Sequence, residues 1–341
     1  MGDLISFSEA IKETGDQART LLLGNGFSID WCWSKFSYDS LYEKAELEGL
    51  SVGKGPLFSA METKDFERAM AYLDLAFAIA GVYEEHGLQS NLHFDSELIR
   101  NGLTEVLAST HPVSQNEIRN DEYKHARIFL SNFSHVFTLS YDLLLYWTFM
   151  ISGLDELMPP CRDGFVGRDG QWVEWASNPQ IFYLHGAFHL FTGEDGETHK
   201  LTYEWPNRII DQLVASLQEK KYPLVVTEGS SKKKSARIQA NPYLRFCLRK
   251  LGYPSQNLFI HGVAMSEHDD HIFARLADNP NSQLERIYVS LYGPPDTKEN
   301  QDIQLKARAI ATGRKAKGGD EVEVKFYDSS TANVWRQNAA S

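Results

Sequence analysis

The chain has 341 residues, enough for one large α/β domain or two modest ones. Its 34 Lys and Arg against 46 Asp and Glu give a formal charge of −12, which argues against a broad basic surface and so makes nucleic acid an unexpected partner. Cys32, Cys161 and Cys247 form no C-x-x-C pair, and no uncharged apolar run approaches the roughly 20 residues that span a bilayer. Neither a zinc ribbon nor a disulfide framework is signalled. The first residues also lack the basic-then-apolar pattern of a signal peptide, so no membrane partner and a cytoplasmic location are expected.

Residues 1–18 read as a short amphipathic helix leading into an apolar run, Thr20–Leu23, that breaks into Gly24-Asn25-Gly26. A buried strand followed by a glycine turn exposes bare backbone to a phosphate, but the same residues also make an ordinary strand-to-helix turn. Helical spacing then resumes over 38–48. Phe66, Met70, Leu73, Phe77 and Ala80 mark a helix ending near Gly87, with further helices over 95–109 and 117–132. No strand is expected between about 40 and 130.

His135–Leu139 is the second strand and delivers Ser140-Tyr141-Asp142 to its end, where these polar groups either cap the next helix or do chemistry. A loop over 158–179 carries Trp172 and Trp175. Ile181–Leu184 is the third strand and presents His185-Gly186, a histidine that is either structural or catalytic; His189 and His199 are spaced too irregularly to form a metal set with it. Leu224–Val226 reads as a fourth strand. The lysines at 232–234 after it either neutralise a phosphate or form a solvated loop, and the solvated loop is the preferred reading. A helix is expected over 242–251. Asn257–Ile260 is the fifth strand and ends in a second glycine turn, His261–Ser266, before a helix whose first turn holds Asp269-Asp270-His271. Strands over 286–291 and 321–327 flank a helix at 299–311. Strands alternating with helices predict an α/β, doubly wound Rossmann-like, mostly parallel sheet over 1–40 and 130–341, with 41–129 as a helical insertion or lid.

Taken together, Leu23–Ser28, Phe137–Asp142, Tyr183–Gly186 and Phe259–Ser266 with Asp270 resemble the sirtuin-like NAD-consuming domains of bacterial antiphage defence, in the family's order and across most of the chain. Among these the chain is similar to a subfamily with an extended helical insertion. The resemblance implies that Gly24, Gly26 and Ser28 hold the NAD pyrophosphate and that Gly262 and Ser266 hold the adenosine side. Asn25, Phe27 and Asp270 join the NAD-binding set. Thr138, Ser140 and Asp142 then surround the nicotinamide ribose, and His185 is the catalytic histidine.

Two departures shape the expected activity. Deacylating sirtuins carry a four-cysteine zinc ribbon that three scattered cysteines cannot build, so the expectation is NAD hydrolysis to nicotinamide and ADP-ribose, with NAD as substrate and no metal. The family also has Asn where this chain has Ser140. Serine offers one hydroxyl close to its own backbone, whereas asparagine carries a donor and an acceptor on a longer arm. A non-catalytic NAD or ADP-ribose binding module is therefore the second expectation, with ADP-ribosyl transfer or deacylation third. What the resemblance implies for partners is self-assembly into a homo-oligomer, a defence-system partner or a phage-derived trigger.

Overall fold

Six strands carry the sheet: β1 (Arg19–Leu23), β2 (His135–Thr138), β3 (Ile181–Tyr183), β4 (Asn257–His261), β5 (Arg286–Leu291) and β6 (Glu323–Asp328). They belong to a computed structural model that describes residues 4–151, 162–167, 170–174, 180–202 and 208–336. Cys161 and Trp175 lie outside the described residues, with much of the loop over 158–179.

The strand order is β6-β5-β4-β1-β2-β3, and every neighbouring pair is parallel. This is the doubly wound Rossmann arrangement, in which the chain runs outward from β1 in both directions and leaves a crevice where it reverses. That crevice lies between the carboxyl ends of β1 and β4. Leu21, Leu22 and Leu23 have no exposed surface, and Leu258 to Ile260 almost none, as expected for central strands covered by helices on both faces.

Two strand expectations need correction. Leu224–Val226 adds no strand to the sheet; Val225 makes one antiparallel bridge to Gly186, while Leu224 and Val226 donate to the carbonyls of Leu190 and His185. A three-residue apolar run is buried wherever it packs, so burial alone could not tell a ladder from a single bridge. The second correction is a four-stranded antiparallel sheet formed by Phe165–Val166, Gln171–Trp172, Thr198–Lys200 and Leu190–Thr192. Strands of two or three residues show too little alternation to be read in advance.

The region before β2 is helical, with helices over Tyr38–Lys44, Lys54–Ala60, Phe66–Val82, His86–Thr110 and Asn120–Leu130. The break expected near Gly87 falls earlier, at residues 83–85, where Glu84 takes a φ of 59°. Asp65 fixes the start of the Phe66–Val82 helix by accepting from the amides of Glu67 and Arg68 at 2.9 and 3.2 Å. Phe66, Met70, Ile99 and Leu103 join one hydrophobic cluster with Leu22, Phe137 and Phe259. The insertion and the sheet thus share a core. Among the described residues, no helix is long and apolar enough to cross a membrane.

Candidate functional site

Two glycine turns meet at the crevice. Gly24 donates to the carbonyl of His261 at 2.9 Å and Gly26 to that of Gly262 at 3.0 Å, while Gly262 donates to Ser290 Oγ at 2.9 Å. A Cβ on Gly24 would stand 2.2 Å from Gly262 O, and Gly262 itself has a φ of +64°. These positions need glycine because backbone packs on backbone. Phe27 and Ser28 also donate internally, to the carbonyls of Gly24 and Asn25, so most amides of the first turn are already bonded.

Beside the turns lies a cavity of about 260 Å³. Gly24, Asn25, Gly26, Ser140, Asp142, His185, Gly262 and Ser266 all line it, so eight of the residues picked out in the sequence converge from four strand ends. Phe27, Ser28, Thr138 and Asp270 do not line it. Phe27 is buried against Trp335, with ring centres 4.7 Å apart. Thr138 is buried and accepts from the amide of Ser140 at 3.0 Å. Asp270 points outward and pairs with Lys306 at 2.9 Å; its neighbour Asp269 is the carboxylate on the cavity wall. Either could not be told from the other by sequence, because the short 3-10 turn at Glu267–Asp269 sets which of them faces inward.

The polar groups at the end of β2 are tightly held. Asp142 Oδ2 accepts from Ser28 Oγ at 2.5 Å and Ser140 Oγ at 3.0 Å, and its Oδ1 accepts from the amide of Leu144 at 2.8 Å. Asp142 therefore starts the Leu144–Met150 helix as well as lining the cavity. Ser140 Oγ also lies 3.3 Å from Asn25 Oδ1, and Asn25 is fixed in turn by donating from Nδ2 to the carbonyl of Phe36 at 3.2 Å. An asparagine carboxamide thus stands beside Ser140, contributed by the first glycine turn.

His185 is 2% exposed at the end of β3. Its Nε2 lies 3.2 Å from Nε2 of His271 and 3.8 Å from Asp269 Oδ1. Behind it, His271 Nδ1 lies 3.1 Å from Ser231 Oγ, and Ser231 Oγ also accepts the His271 amide at 2.8 Å. Burial, reinforced by the nearby Lys234 cation, holds His185 well below the usual histidine range despite Asp269. Burial likewise brings His271 down to about 4, with Asp269 opposing. Both rings are neutral near pH 7.

The lysine run is not a solvated loop. Ser230 caps a helix over Ser231–Ala240, and Lys234, on its first turn, has no exposed surface. Its Nζ donates to Glu67 Oε2 at 2.7 Å and to Asp269 Oδ1 at 2.9 Å. Burial works against the Lys234 charge, but the two carboxylates outweigh it and hold the ammonium above its ordinary range. Burial would raise Asp269, yet Lys234 and His185 bring it down to about 2. For Glu67 burial prevails and its carboxyl is raised, even with Lys234 beside it. Tyr141 also donates to Glu67. Glu67 belongs to the insertion, so this buried chain joins the insertion to the strand ends.

Sequence reading missed Glu67, Tyr141, Lys234, Asp269 and His271 as a group. Tyr141 and the Asp-Asp-His run stood inside stretches already singled out, and Lys234 inside the lysine run. Glu67 gave no signal, since an acidic residue in the first turn of a helix is ordinary. Among the described residues, His185, Asp269 and His271 form a group whose donor atoms all lie within 4.8 Å of one another, whereas His199 pairs with Asp195 and His189 is buried between Tyr146 and Tyr183.

A comparison with curated proteins gives no match. A family model described as a domain of unknown function, DUF4917, matches residues 21–335, from the first strand through Trp335, and the chain belongs to that family.

Proposed function

We propose that this protein is a sirtuin-like NAD glycohydrolase that cleaves NAD to nicotinamide and ADP-ribose. The observation that carries the reading is the convergence of Asn25, Ser140, Asp142 and His185 on one cavity where the strand order reverses. Open α/β sheets bind nucleotides at that point. Among the described residues, the wall adds Asp65, Glu67 and Asp269 to Asp142 against the single cation Lys234, an excess of carboxylate that suits a positively charged centre. The nicotinamide of NAD⁺ carries such a charge, and breaking its bond to ribose develops cationic character on the sugar. In this reading Asp142 and Ser140 grip the ribose and neutral His185 accepts a ribose or water proton.

In this reading the phosphates sit at the second turn, not against Gly24, Gly26 and Ser28 as the resemblance implies. Among the described residues, the amides of Val263, Ala264, Met265 and Ser266 have no internal acceptor, in contrast to the bonded amides of the first turn. A regulated antiphage role, with a homo-oligomer, a defence partner or a phage-derived trigger, accompanies the resemblance.

Incubating purified protein with NAD⁺ and resolving the products by chromatography tests the proposal. Release of nicotinamide and ADP-ribose, lost in His185→Ala with NAD binding retained, supports it; binding with no release by the unaltered protein refutes it. That second outcome would favour a binding module, a reading helped by the Ser140 hydroxyl, which is already engaged by Asn25 and Asp142.

A further inference from the structure

We infer that His185, His271 and Asp269 form a binding site for one divalent transition-metal ion of the zinc class. Two imidazole nitrogens and one carboxylate oxygen are the donor set such ions prefer over calcium or magnesium. Imidazole nitrogens bound at about 2.0–2.1 Å stand about 3.3 Å apart at the tetrahedral angle. The two Nε2 atoms are 3.2 Å apart, Asp269 Oδ1 is 3.8 Å from His185 Nε2, and one donor atom from each of the three residues lies within 4.8 Å of the others. A hydrogen bond alone would account for the first distance; the carboxylate beside it completes a ligand set.

The surroundings match a metal site in two further respects. Ligating histidines are normally held by a partner on the other ring nitrogen, and His271 Nδ1 has Ser231 Oγ at 3.1 Å. Ligating carboxylates are in turn hydrogen-bonded, and Lys234 Nζ holds Asp269 Oδ1 at 2.9 Å. The Lys234 charge would repel an ion were it unmatched, but it is shared with Glu67 at 2.7 Å. His185 and Asp269 both line the cavity, so an ion can reach the site and keep a position open towards it.

The binding site does not depend on the NAD reading. Its consequence does: an ion there occupies Nε2 of His185, the ring that reading uses to accept a proton, and therefore brakes NAD cleavage.

The test uses the full chain, stripped with a chelator and titrated with Zn²⁺ by calorimetry. X-ray absorption of the zinc-loaded protein then identifies the ligands without any substitution. One ion per chain with two imidazoles in its shell is expected. His271→Gln and Asp269→Asn are each expected to weaken binding at least ~100-fold, while the exposed His86→Ala leaves it unchanged. Absence of a stoichiometric ion overturns the inference, as does a shell without imidazole or undiminished affinity in a folded His271→Gln variant. Nicotinamide release that is unaffected by Zn²⁺ bound through two imidazoles overturns the brake and the role of His185 as proton acceptor, and leaves the metal site standing. Zinc bound by two imidazoles in a protein that releases no nicotinamide, with or without the ion, would sink the NAD reading and leave the metal site standing.

Discussion

Gly26 and Gly262 are joined by a 3.0 Å hydrogen bond from the amide of the first to the carbonyl of the second, and their backbones nearly touch. A Cβ on Gly26 would stand 2.5 Å from the Cα of Gly262, with no flexible side chain to yield. Gly26→Ala is therefore expected to destabilise the fold by at least about 2 kcal/mol, before any question of ligand arises. Gly87→Ala meets nothing within 4 Å and sits in the first turn of the His86–Thr110 helix, so it should be neutral or stabilising by up to about 1 kcal/mol. Urea unfolding of the two variants decides the matter; equal stability in both would mean that the turns can separate without cost.

Ser140→Asn tests the chemistry directly. A longer amide beside Asn25 and Asp142 brings a donor and an acceptor farther into the cavity, and displacing a reacting group by about 1 Å can change a rate on the order of 100-fold. Nicotinamide release is expected to rise well above that of the Ser140 protein, each rate corrected with its His185→Ala partner. A lower His185-dependent rate would show that Ser140 with Asn25 is a complete arrangement that asparagine crowds.

Lys234→Ala leaves Glu67 and Asp269 facing each other in the interior with no cation between them. Breaking a buried pair from one side typically costs about 3–5 kcal/mol. Since Lys234 serves two carboxylates, the upper part of that range is expected in chemical denaturation. Adding Glu67→Gln to Lys234→Ala should recover part of the loss by removing one stranded charge. A double variant less stable than the single one would contradict the ion-pair account.

Acid should weaken the fold through His261. Burial lowers this histidine from 6.5 to about 4, with its Nδ1 2.8 Å from the Tyr327 hydroxyl. The folded-state value is the depressed one, so the unfolded chain takes up the proton first. Its stabilising contribution is complete above pH 6.5 and is lost as the pH falls from about 6.5 towards 4, on the order of 3 kcal/mol in all. His261→Gln keeps a partner for Tyr327 and removes the titration, so its unfolding midpoint should fall less between pH 7.5 and 4.5. Parallel falls in the two proteins would assign the acid sensitivity to other groups.

The sequence by itself determined the parts whose physics is local. Short apolar runs ending in glycine, Ser-Tyr-Asp or histidine marked five of the sheet's strands closely, the sixth was expected over 321–327 and lies at Glu323–Asp328, and strands alternating with helices implied a parallel sheet. Because parallel strands present their carboxyl ends on one edge, residues at those ends had to converge, and Asn25, Ser140, Asp142, His185 and Ser266 do. Tertiary structure alone decided which polar residues face inward. Asp269 rather than Asp270 lies on the cavity wall, and Lys234 is buried although it belongs to a run of lysines that reads as solvated. Glu67 reaches the same network from 167 residues away, across the insertion. Charged side chains announce neither their burial nor their partners locally, because burial becomes tolerable only once opposite charges from distant segments have been packed together. The glycines of the two turns make the same point, since what demands them is another stretch of backbone, more than 200 residues away.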